Sequence, residues 1–209
     1  MNVLSRPGSS ARSFSYAVFD YTAHLAEVCS DICFRVPSLN HIDMRRVAVS
    51  FSQTKHCESF GTFACVVPMR FENGEMFRER CGKKWTIQHC YNKDGTEYLY
   101  LMYFFVPRFI ELTLTQKLQT IVHELYHINP EFNGDIRRFN GRCFAHGSSQ
   151  KKYDKTVQQF TDYWLKQEPP EEIWNFLRFN YKELTENFGR LVGTRIKKPM
   201  LIPAKDNGA

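Results

Sequence analysis

Residues 113–130 read Thr-Leu-Thr-Gln-Lys-Leu-Gln-Thr-Ile-Val-His-Glu-Leu-Tyr-His-Ile-Asn-Pro, and within them His123, Glu124 and His127 spell the pattern HExxH. Leu118, Ile121, Val122, Leu125 and Ile128 recur at steps of 3, 1, 3 and 3, which is the spacing of one buried helical face. Thr113 with Gln116, or Thr115 alone, offers a helix start, and Pro130 disfavours helical geometry at Asn129, so the helix should stop just past His127. On a helix, side chains four apart stack on one face, so the two imidazoles can share one metal ion. Glu124 lies about 100° further round, close enough for its carboxylate to reach a water on that ion. These residue types in this order predict a zinc hydrolase, most often one that cuts peptide bonds, with Glu124 as general base. The competing reading is a buried helix whose histidines only hydrogen-bond. The position of the motif at the end of a capped helix argues against it.

Composition bounds the rest. The 209 residues, 43% hydrophobic and 15% aromatic, suffice for one domain with a real core. The longest apolar run, residues 98–106, is far too short to cross a bilayer, and no hydrophobic signal segment is visible at the start, so no membrane contact is expected. Residues 1–12 hold Arg6, Arg12, several serines and no acid, and read as a frayed or disordered terminus more than as a transit peptide. Seven cysteines at irregular spacing without a CxxC pair suggest neither a disulfide framework nor a zinc ribbon. Cys29 and Cys33 read as core thiols, and reduced, cytoplasmic conditions fit best. A net charge of +6 permits contact with nucleic acid or an acidic partner without requiring it.

Along the chain the pattern predicts one α+β domain over residues 13–190. It comprises an N-terminal helix over 14–32, strands over 46–53 and 61–71, and a hairpin of 85–91 with 97–106 about the Asn92-Lys93-Asp94-Gly95 turn. The strand of that hairpin starting at Tyr98 is apolar on both faces and should be central or covered. After the HExxH helix come a loop, a helix to about Lys166 capped by Ser148 or Ser149, and another from Glu171 towards Gly189. Residues 191–209 are expected as an extended tail, lying across the body or disordered. The whole describes a mostly antiparallel small sheet followed by helices.

A catalytic zinc takes three protein ligands and keeps a position for water. The metzincin spacing would put a third histidine at position 133, which is Asn133, so Glu131, Asp135 and His146 remain. His146 is favoured: 18 residues separate it from His127, enough for a loop to return, and it precedes Gly147 and a helix start. Asp135 otherwise serves as a turn residue or an acceptor that orients one histidine. Arg137 and Tyr153 are candidates, by position, to donate to the oxyanion of a tetrahedral intermediate. Cys143, three residues before His146, reads as a buried thiol, although it too is a potential ligand.

The stretch HELYHI at residues 123–128, followed by Phe132-Asn133-Gly134-Asp135-Ile136-Arg137 and preceded by His41-Ile42-Asp43, resembles a phage and archaeal metallopeptidase family. His146-Gly147 is similar to the histidine-glycine that supplies the third ligand in SprT-like zinc proteases, and nothing here matches the zinc ribbon many of those carry. The resemblance covers about residues 40–160. It implies a zincin-like fold, a Zn2+ cofactor on His123, His127 and His146, and a protein or peptide substrate. A SprT-like association with DNA is the corresponding nucleic-acid expectation. The alternative from another class is a zinc-stabilised, non-catalytic module that binds nucleic acid or protein.

Overall fold

The computed structural model of the chain describes residues 18–53, 62–140, 144–147 and 149–204. The expectations placed on residues 1–12, on the start of the helix over 14–32 and of the strand over 61–71, on Cys143 and Ser148, and on residues 205–209 of the tail lie outside them. Among the described residues the fold is mixed α+β, with five α-helices and three small sheets.

The central sheet has the order β2-β6-β3, where β2 is Val47–Gln53, β3 is Ala64–Pro68 and β6 is Tyr100–Val106. Strand β6 sits in the middle because its two faces are both apolar. Tyr100, Met102 and Phe104 enter the main core, whereas Leu101 and Tyr103 join a second cluster on the opposite face. The sheet is not mostly antiparallel: β2 runs parallel to β6 over its whole length, and only β3 opposes it.

The expected hairpin is reduced to its turn. Asn92 accepts hydrogen bonds from Asp94 N and Thr96 N, and Tyr91 bridges Glu97, but the strands then part. Burying both faces of β6 takes it between β2 and β3. The segment before the turn contributes β5 (Lys83–Ile87), largely solvated, which pairs instead with β4 (Phe77–Arg80) and with β8 (Leu201–Pro203).

Helix α1 (Tyr21–Arg35) starts later than the periodicity suggests. Asp20 caps it by accepting from Thr22 N and Ala23 N, and the residues before it form β1 (Val18–Asp20). Its inner face carries Leu25, Val28, Cys29 and Ile32 into the core. Helix α2 (Leu114–Tyr126) opens with a complete capping box between Thr113 and Gln116 and ends with His127 as its C-cap. Leu118, Ile121, Val122 and Leu125 are buried as the pattern predicted. Helix α3 (Gln150–Lys166), capped by Ser149, packs beside α2.

The single helix expected after Pro170 is broken. It becomes α4 (Glu171–Trp174), a 3-10 turn, and α5 (Tyr181–Phe188). Two interactions favour the break. Asn180 and Glu183 form a new capping box, and the buried Lys117 ammonium of α2 donates to the carbonyls of Leu177 (3.0 Å) and Phe179 (2.7 Å), acceptors that a continuous helix would use internally. The chain then runs extended: β7 (Arg190–Val192) pairs in parallel with β1, and β8 closes on β5. Among the described residues, no helix is long and apolar enough to cross a membrane.

The loop after α2 is pinned from beneath by β6. The buried Tyr100 hydroxyl accepts from Gly134 N (3.0 Å) and donates to Asp135 O (2.8 Å). Gly134 has φ +89° and a Cβ there would stand 2.5 Å from Arg70 Cγ, so only glycine fits. Replacing Tyr100 with Phe orphans a buried N–H and a buried C=O. Urea denaturation is expected to report a loss of about 1–3 kcal/mol, and a loss below about 0.5 kcal/mol would mean that water replaces the hydroxyl.

Candidate metal centre

The last turn of α2 presents His123 and His127 on one face, with their Nε2 atoms 3.0 Å apart. The loop that follows folds back over the helix end instead of leaving it. Arg137 N donates to His127 O (2.6 Å), Arg137 Nε donates to Tyr126 O (2.8 Å), and Ile128 bridges Ile136. Carbonyls left open by the end of the helix are thereby satisfied. After Phe139, whose N–H donates to Phe144 O, the chain returns His146 to the same face. Its Nε2 lies 3.3 Å from that of His123 and 3.2 Å from that of His127. Gly147, at φ +75° and with Phe139 Cβ 3.3 Å from where its own Cβ would be, allows the turn into α3.

Three imidazole nitrogens at these distances cannot satisfy one another. Each neutral ring nitrogen carries either a proton or a lone pair, never both. With two labels on three corners, at least one contact must join like to like. A cation at the centre removes the conflict by taking all three lone pairs. The edges observed are close to the roughly 3.3 Å expected for three nitrogens bound at 2.0–2.1 Å in tetrahedral geometry. His123, His127 and His146 are also the one His, Cys, Asp or Glu group among the described residues with metal-ligand spacing. The donor set therefore fits a divalent ion.

Electrostatics favour the metal-ready form. Burial, with His146 nearby, pushes His123 down to about 4, and burial with both other histidines and Arg137 nearby pushes His127 down to about 3, so both rings are neutral near pH 7. Glu124 moves the other way. It is 7% exposed, and burial raises it to about 7, although its Oε2 accepts a 2.8 Å hydrogen bond from Val66 N on β3. Nothing in the sequence announced this strand contact, which fixes the carboxylate between the helix and the sheet edge. His123 and Glu124 open onto a cleft of about 430 Å³ between α2, α3 and the start of β3.

Tyr153 does not reach outwards as an oxyanion donor. Its hydroxyl donates to His123 O (3.1 Å), and its ring centroid lies 4.9, 5.3 and 4.8 Å from those of His123, His127 and His146. It is the shared wall behind all three imidazoles. Arg137 is committed through one donor: its Nε bonds Tyr126 O at the helix end, and its guanidinium lies 4.4 Å over the Tyr126 ring. Asp135, 2% exposed, accepts from Asn73 N and is paired with Arg138, so it organises the loop and stays outside the histidine group. Glu131 is exposed and also stays outside it. His41, from the lead-in segment, is half-buried beside the Ile128 backbone and stays outside the histidine group.

The pH dependence of the metal-free protein follows from these shifts. His123 and His127 are depressed on folding, so their contribution is present above about pH 6.5 and is lost as pH falls towards 4 and then 3. Glu124 is raised, so its contribution is present below about 4.5 and is lost as pH rises through about 7. Two histidines oppose one carboxylate, and the urea midpoint should fall between pH 6.5 and 4.5. In the double variant His123→Asn/His127→Asn that fall should flatten, and an unchanged slope would show that other groups set it. No protein-family model, no curated protein and no solved structure matches this chain.

Proposed function

We propose that the chain is a zinc-dependent metallopeptidase of the zincin type, with His123, His127 and His146 as metal ligands and Glu124 as general base. The observation that carries this reading is a buried carboxylate, poised near neutrality, beside three imidazoles whose Nε2 atoms converge at the mouth of a cleft. A set of three histidines that leaves one position open suits Zn2+. When bound, that ion acidifies a water to near neutrality and polarises a carbonyl. Glu124, raised to about 7, would accept the proton of the attacking water on its carboxylate and return it to the departing amine. Val66 N holds the carboxylate in place between these two transfers. Tyr153 keeps the three rings in register. Strand β3 is an edge of its sheet, and an extended peptide adding to it would pass the cleft.

The resemblance of residues 123–128 and 132–137 to the phage and archaeal metallopeptidases, and of His146-Gly147 to SprT-like proteases, supports the same assignment. A structural zinc needs no carboxylate pressed against its open side, which is why we favour catalysis. One feature favours a binding role as a second reading. Arg195, Lys197 and Lys198 line a groove of about 380 Å³ on the opposite face of the central sheet, where the buried Tyr103 hydroxyl has no partner among the described residues. A non-catalytic module contacting nucleic acid or protein would use that face and ignore Glu124.

The substitution Glu124→Gln separates the two. Elemental analysis should find about one zinc per chain in both proteins, while hydrolysis of a quenched-fluorescence peptide library should fall at least ~100-fold in the variant. Turnover that survives Glu124→Gln with the metal retained removes the general base, and turnover that survives exhaustive chelation removes the metal.

A further inference from the structure

The cleft beside the histidines has a composition unlike that of the chain as a whole. The protein carries a net charge of +6, yet no lysine or arginine lines this cleft among the described residues. Its two charged residues are Glu124 and Asp154. Glu124 is buried against Val66 and belongs to the chemistry, which leaves Asp154 as the charge that can meet an incoming group.

The walls come from two facing helix stripes. Gln116, Gln119, Thr120 and His123 recur along α2, and Asp154, Val157 and Gln158 recur along α3, both at helical i, i+3, i+4 spacing. Gln119 and Gln158 hydrogen-bond each other across the helices, tying the two walls together. Phe63, Leu112 and Val157 supply apolar surface, and Gln119 Oε1 supplies an uncharged acceptor, since Gln116 Oε1 accepts from Thr113 and Gln158 Oε1 accepts from Gln119. Asp154 is exposed, with Oδ1 accepting from Gln150 Nε2 at 2.7 Å, so acceptor capacity remains on the carboxylate.

A greasy passage with one exposed carboxylate and an amide oxygen along it matches a side chain that has an apolar stem and a cationic head. A cleft of about 430 Å³ has room for one such chain. We infer that this cleft is the subsite for a lysine or arginine side chain of the substrate, next to the bond to be cut, with Asp154 as its charge partner. The inference rests on the peptidase reading and adds the substrate class. Asp154 contributes specificity rather than chemistry, because charge complementarity at a partly exposed site is worth about fivefold.

The test uses three pools of short peptides, identical except for one central position fixed as Lys, norleucine or Glu. Binding is followed by fluorescence anisotropy on the zinc-loaded Glu124→Gln protein, and cleavage is followed by mass spectrometry with the unmodified protein. The Lys pool should be bound and cut about fivefold better than norleucine, with Glu the poorest. Adding Asp154→Asn should bring the Lys and norleucine pools together, and Asp154→Lys should reverse the order in favour of Glu. Equal treatment of the three pools, or a Lys preference that survives Asp154→Asn, overturns the subsite. A Lys preference in binding without cleavage of any pool would overturn the peptidase reading and leave the subsite standing. Asp154 is solvent-exposed on α3, so its variants should fold; an unchanged thermal midpoint checks this.

Discussion

Three imidazole nitrogens within 3.0–3.3 Å of one another cannot all be mutually satisfied, and the region around the C-terminus of α2 is organised to hold them there regardless. Left to themselves, His123, His127 and His146 would swing apart into water. The helix fixes two of them through the capped, buried α2, whose inner side chains are shared with α1 and the central sheet. The third depends on a loop, and the loop depends on its own restraints: Tyr100 beneath it, Asp135 and Arg138 within it, and Arg137 returning to the helix end. Tyr153, 3% exposed, closes the remaining side. Preorganisation of this kind means that ordering energy is spent in folding and need not be spent again when a cation enters.

The same helix turn couples the histidine group to the sheet. Glu124 stands one residue from His123, and its carboxylate ties α2 to the outer edge of β3. A short edge strand is a place where extended chain can be added, and here that edge borders the cleft. On the proposed peptidase reading, recognition and chemistry would share one hydrogen bond. A displacement of β3 would alter both the exposure of the carboxylate and the line along which a peptide could lie.

Much of the centre could be read in the chain because its signals are local. Thr113 with Gln116, Ser149 before α3, and the four-residue step from His123 to His127 are all decided within a turn or two. His146 was accessible through its spacing and its neighbour Gly147. Features decided by partners distant in sequence were not. The Asn92–Gly95 turn formed, yet its arms separated because β6 needed cover on both faces. The helix after Pro170 broke because Lys117, about 60 residues earlier, claims its carbonyls. Arg137 and Tyr153 both lie against the end of α2, but sequence order cannot show that Tyr126 O takes the Arg137 Nε–H and that His123 O takes the Tyr153 hydroxyl. Val66 meets Glu124 through a backbone N–H, which no side-chain pattern can encode.

One consequence concerns vectorial synthesis. The parallel pairing of β1 with β7 joins residues 18–20 to 190–192, and the seam continues as Thr194 N donates to Thr22 Oγ1 (2.7 Å) and Ile196 N to Ser50 Oγ (2.9 Å). A nascent chain on the ribosome holds the first half of this seam long before the second half emerges. Closing so large a loop costs entropy that only the finished contacts recover. Until then, the edge of β1 and the start of α1 stay open to solvent and to any other extended segment nearby. Strand β7, made late, is therefore the latch on β1, and shielding during translation would matter most for the segment from β1 to the start of α1.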